Sequence, residues 1–208
     1  MKKLSLILLL TLCYFAANAQ KFEGGVATGL NFSQLDGDRL SGYNKVGLNG
    51  GLWVSYPFND KWSAGLEFLY TQKGAVRLTS QDTINSPETF DRYRINYLEI
   101  PLFAAYTYKK FTFQGGLTGG VLLKAEVKDF TGIQDFKDQF KPFDNQFLLG
   151  AVYTINEKTA IQLRYQYSIR SLAKDDWRTV FVDNAFSRKI VGLYNNLFSF
   201  TVKFRIEK

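Results

Sequence analysis

Histidine is absent from this chain of 208 residues, and Cys13 is its only cysteine. General-base chemistry near neutral pH suits imidazole, so serine–histidine and cysteine–histidine catalysis and histidine or cysteine zinc sites are excluded together. Only four prolines occur, and outside the N-terminus no run approaches the roughly 18 apolar residues of a membrane-spanning helix. A strand that shows one face to lipid and the other inward alternates too quickly for such a run to be needed, in keeping with a mean hydropathy of −0.16. Charge of either sign is sparse in blocks. The basic excess is modest and spread along the chain, so it marks no nucleic-acid surface.

Aromatic residues and glycine are plentiful, at 16% and 17 residues. With so little proline this favours one β-rich domain over disorder. The N-terminus has a different character: Lys2 and Lys3 precede the apolar run Leu4–Ala17, and Ala17-Asn18-Ala19 leads to Gln20. A basic start, an apolar middle and a small-x-small exit make residues 1–19 a cleaved export signal, leaving 20–208 as a single mature domain. Cys13 belongs to the apolar run and is removed with it, so the mature chain holds no disulfide. No cofactor and no metal is expected; the acidic residues Asp129, Asp135, Asp138 and Asp144 lack the spacing and central glycine of a calcium loop.

Phe111–Lys128 shows the organisation most clearly. Phe111, Phe113, Leu117, Val121, Leu123 and Val127 fall on one parity, and Thr112, Gln114, Thr118, Lys124, Glu126 and Lys128 on the other. A period of two over such a length is a strand, and one that suits a tilted bilayer crossing. Seven further stretches alternate likewise: Phe22–Phe32, Val46–Pro57, Trp62–Lys73, a strand ending at Tyr108, Asn145–Thr154, Thr159–Arg170 and Asn195–Ile206. Asn59-Asp60, Lys109-Lys110 and Ile155–Lys158 form short connections. Ser33–Lys45, Gly74–Arg92, Asp129–Asp144 and Ser171–Tyr194 form long ones. This rhythm predicts an all-β, eight-stranded up-and-down antiparallel transmembrane β-barrel, with short periplasmic turns and long extracellular loops.

Periodicity does not say which face is inside. A secreted soluble lipocalin-like barrel, binding a small apolar ligand, would bury the apolar parity instead. Two features favour lipid outside. The charges Glu23, Glu67, Lys73, Glu99, Lys124, Glu126, Arg164, Arg170, Lys203 and Arg205 all oppose the apolar parity and are expected to form a lumen charge network. Phe22, Tyr56, Trp62, Tyr106, Tyr108, Phe111, Tyr153 and Phe204 gather near the short turns on the apolar parity, as a periplasmic aromatic girdle would. Eight strands leave an interior about wide enough for side chains. A plugged lumen follows; Trp53, Leu69, Tyr97, Phe103, Leu122, Leu148 and Val152 on the same parity either pack among the charges or mark a shift of register. The expected surroundings are outer-membrane lipid around a monomeric barrel. Of the loops, Asp129–Asp144 is the candidate partner contact: Ile133, Phe136, Phe140 and Phe143 recur at three to four, as in a short amphipathic helix lying across the mouth, and Trp177 and Phe181 stand in the last loop.

The segment Tyr97–Leu102, YLEIPL, with the NAQ signal exit and LRYQYSI at Leu163–Ile169, resembles the PorT-type outer-membrane β-barrel family common in Bacteroidetes. The resemblance spans nearly all of the mature chain. It implies an eight-stranded outer-membrane barrel, tied in some members to type IX secretion or gliding, with no catalytic or ligand residues to carry over. Independently of it, Glu99 is expected to accept from Arg164 or another base, and Pro101, lacking a ladder donor, to mark a bulge or local weakening. The resulting expectation is a non-enzymatic structural or interaction protein. An outer-membrane enzyme is the third reading, after the lipocalin-like carrier.

Overall fold

The structure, a computed structural model, describes residues 22–37, 42–76, 92–129, 132–174 and 192–206. The expected export signal, Trp177 and Phe181 lie outside them. Among the described residues nine strands are present: β1 (Glu23–Asp36), β2 (Lys45–Pro57), β3 (Trp62–Val76), β4 (Arg92–Tyr108), β5 (Phe111–Asp129), β6 (Gly132–Asp135), β7 (Phe143–Thr154), β8 (Thr159–Ser168) and β9 (Tyr194–Arg205). From β1 to β5 and from β7 to β9 each strand pairs antiparallel with the next, β5 pairs with β7, and β9 returns to β1, so eight strands close a ring. The ninth, β6, only folds back on the outer end of β5. Closure leaves no edge, which is what a sheet in hydrocarbon requires.

The apolar parity faces out. Phe68, Leu102, Leu123 and Phe200, which a soluble carrier would turn toward the axis, are 48%, 59%, 42% and 45% exposed. The lipocalin-like alternative is therefore set aside: the residues it would bury stand on the outer surface. Along β4 the outward apolar residues run from Tyr108 to Leu98, roughly 25 Å across at the tilt such strands take, about the height of a hydrocarbon band. At its lower edge lie the rings grouped from the sequence, in tilted pairs: Phe22–Tyr56 at 5.0 Å, Trp62–Tyr106 at 5.0 Å and Phe111–Tyr153 at 5.1 Å between centroids. Phe58, in the first turn, extends this group against Tyr56. The Lys109-Lys110 turn has no glycine; Lys109 itself takes the left-handed conformation, with φ 55°.

Small radius demands bare positions inside. In the Gly115-Gly116 pair the outward member has room, and the inward member is pressed against a neighbouring backbone. A Cβ on Gly115 would meet nothing nearer than 3.8 Å, whereas one on Gly116 would lie 2.1 Å from the carbonyl oxygen of Leu102. Gly116→Ala should cost about 1–3 kcal/mol, the usual range for overpacking, and Gly115→Ala less than about 0.5. Denaturant midpoints of the two variants, read by the gel mobility of folded against unfolded barrel, would separate them.

Two irregularities matter. Leu123 is an extra residue on β5: Asn96 faces Lys124, but Tyr97 faces Leu122. The parity of β5 reverses above this bulge. Ala125 and Val127 turn inward, fully buried, while Lys124 and Glu126 turn out. The expectation that Lys124 and Glu126 sit in the lumen is thus corrected; they pair with each other at 2.7 Å on the outer wall. At Pro101 there is no bulge. Instead the β3–β4 ladder lapses between Leu66–Leu102 and Leu69–Glu99, opposite the residue with no N–H to give.

Candidate functional site: the buried ion cluster

Alternation on the lower two-thirds of the strands sends five of the ten charges inward to near-complete burial: Glu67, Lys73, Glu99, Arg164 and Lys203. Glu67 on β3 receives both guanidinium nitrogens of Arg164 from β8, across the interior, at 2.7 and 2.9 Å. Lys203 on β9 donates to the same carboxylate at 2.6 Å. Glu99 is paired not with Arg164 but with Lys73, whose ammonium also lies 3.9 Å from Asp144. Strand periodicity fixes the face a residue takes; its height along the axis decides its partner.

The inward rings answer to the cations. Lys203 lies over Trp53 at 5.1 Å and Phe103 at 5.6 Å, Arg164 over Phe103 at 5.3 Å, and Lys73 over Tyr97 at 5.3 Å. Such contacts favour a cation more strongly when water is excluded. Amides complete the cluster. Gln162 donates to Gln114 at 2.7 Å, Gln114 accepts from Arg164 at 3.3 Å, and Gln166 bridges Thr118 and Gln146 at 3.1 and 3.2 Å.

Asp144 is a member that reading the sequence missed. Sequence periodicity places it in the Asp129–Asp144 loop, yet β7 begins at Phe143, and Asp144 is buried where Ser168 and Asn195 donate to it at 2.8 and 2.7 Å. The signal was there: Asp144, Gln146, Leu148 and Val152 share one parity. The remaining expected members lie elsewhere. Glu23 and Arg205 pair at 2.8 Å at the turn end, each about two-fifths exposed, and Arg170 stands exposed beyond β8.

The interior differs at its two ends. Above the ions, Leu35, Tyr93, Ile95, Val127 and Leu193 pack with Phe140 and Leu172 into an apolar cluster. Below them a concavity of about 630 Å³ opens between the short turns and reaches Phe103, Gln114 and Lys203. Phe140, expected as a partner contact, is 3% exposed and belongs to this upper cluster, with Phe136 against it. The expected amphipathic helix is absent: residues 132–135 are strand β6, and only Lys137–Gln139 form a 3-10 turn. Phe143 lies on the outer face of β7. Ile133 alone of the four stands exposed on the loop.

An outward greasy band, a closed eight-strand ring and a buried ion cluster within it define an outer-membrane β-barrel protein, set in membrane lipid. Residues 18–174 match the family model described as outer membrane protein beta-barrel domain, and the chain belongs to that family. Among solved structures it is similar to Ail, the attachment invasion locus protein of Yersinia pestis, at 17% identity and a TM-score of 0.52, over 89% of this chain and 99% of that one. It is similar also to Neisserial surface protein A, at 11% identity and a TM-score of 0.52, over 89% and 97%. At such identity the likeness is one of fold. No curated protein matches the chain.

Proposed function

We propose that the protein is a non-enzymatic, PorT-type outer-membrane barrel of Bacteroidetes character, exported by a cleaved signal at residues 1–19, monomeric, and closed to solutes. Its role is that of a structural or interaction component, linked to type IX secretion or gliding. One observation carries the closed lumen: Glu67 on one wall is held by Arg164 and Lys203 from the opposite wall. The apolar cluster above it supports the same reading. The absence of histidine and of any mature cysteine argues against hydrolase chemistry. Partner contact falls to the long loops, with Ile133 and Trp177 as the residues to vary.

Purified barrel reconstituted into planar bilayers should give no single-channel conductance and should not let sugars swell liposomes; steady channels would overturn the closed lumen. For the secretion link, crosslinking in native membranes followed by purification of the tagged protein should enrich secretion-system components over an unrelated barrel of equal abundance. Equal recovery would remove that link and leave the scaffold role.

A further inference from the structure

The β2–β3 ladder ends at Asn49–Thr71, while the β3–β4 ladder continues outward to Val76–Arg92. The upper ends of β2 and β3 therefore part, and a notch of about 500 Å³ opens in the outer wall, lined by Lys45, Val46, Gln72, Val76, Arg92 and Arg94. Its height is set by its neighbours: Tyr70 and Leu98 close the apolar band just below, and Gln72 and Asn96 follow. The notch thus sits at headgroup level in the outer leaflet.

Among the described residues three cations line it, and no carboxylate does. Among the described residues, Arg94 has one carboxylate partner, Glu126 at 3.7 Å, and that group is already engaged by Lys124 at 2.7 Å. Neither Arg92 nor Lys45 has a carboxylate partner among them. Lys45 gives one proton to the carbonyl of Val46 at 2.7 Å and keeps two more to donate. Two guanidinium forks and an ammonium around one opening, with Val46 and Val76 as apolar walls, match a phosphate ester carried on an acyl-bearing lipid.

We propose that this notch is a binding site for the phosphorylated headgroup of an outer-leaflet lipid. The proposal is independent of the closed lumen and of any protein partner. Intact protein in nanodiscs containing bisphosphorylated lipid A should retain that lipid in native mass spectrometry, and dephosphorylated lipid A should be retained roughly tenfold less. The double variant Arg92→Gln, Arg94→Gln should lose the preference, and Arg92→Lys, Arg94→Lys should keep part of it. Lys109→Gln with Lys110→Gln, at the opposite rim, should leave it unchanged. All these side chains are exposed, and the mobility shift between boiled and unboiled samples verifies that each variant is folded. Equal retention of the two lipids, or no effect of the arginine substitutions, overturns the proposal. Displacement of the lipid by millimolar inorganic phosphate alone would reassign the notch to soluble phosphate and overturn the lipid assignment.

Discussion

Glu67→Leu is expected to destabilise the barrel by about 3–5 kcal/mol, the loss typical when one partner of a buried ion group is removed. The carboxylate contributes little net attraction once its own desolvation is counted. What makes it indispensable is that Arg164 and Lys203, both enclosed, would be left facing each other without an anion. The same reasoning predicts rescue. Glu67→Leu combined with Arg164→Met and Lys203→Met removes all three charges and should recover most of the loss, since apolar replacement of a whole buried ion group is often neutral or stabilising. Guanidinium midpoints for barrel refolded into vesicles would decide it. A triple variant no more stable than the single one would mean that the cluster holds the strands by something other than charge balance.

Leu102→Arg should cost about 2–4 kcal/mol in a bilayer, the range for a cation on the lipid face near the midplane. Leu102 lies midway along the apolar stripe of β4, beside Leu66 and Leu117. Ile133→Arg, on the exposed outer hairpin, should change stability by less than about 0.5 kcal/mol. In a water-soluble barrel both positions are merely surface, and the two substitutions would have equal, small effects. The difference between them therefore measures the membrane itself, and its disappearance in vesicles would contradict the outward band.

Most of the architecture was legible because a barrel strand writes its two environments into alternate letters. Trp62–Lys73 and Thr159–Arg170 each end within three residues of β3 and β8, and every short turn falls where it was expected. The misreadings arise where local periodicity does not supply what tertiary pairing decides. Leu123 adds one residue to β5, and every assignment beyond it, Lys124 and Glu126 included, changes side. Asp144 was lost because a strand that starts two residues early looks like loop until its partner is known. Phe136 and Phe140 recur at helical spacing yet cover the barrel's upper interior from a turn, where burial and not helix formation explains their apolar character. Partner choice within the ion cluster was beyond reach, since Glu67 and Arg164 are 97 residues apart and only ring closure brings them together.

The bulge at Leu123 also divides the barrel into two chemically separate storeys. Below it, a residue's identity is constrained from both sides, by acyl chains or by the enclosed ions. Above it, Lys124, Glu126 and the hairpin of β5 and β6 display polar groups to the cell's exterior, while Ala125 and Val127 seal the inside. What the cell presents there can be recharged residue by residue without disturbing the electrostatic balance a few ångströms beneath.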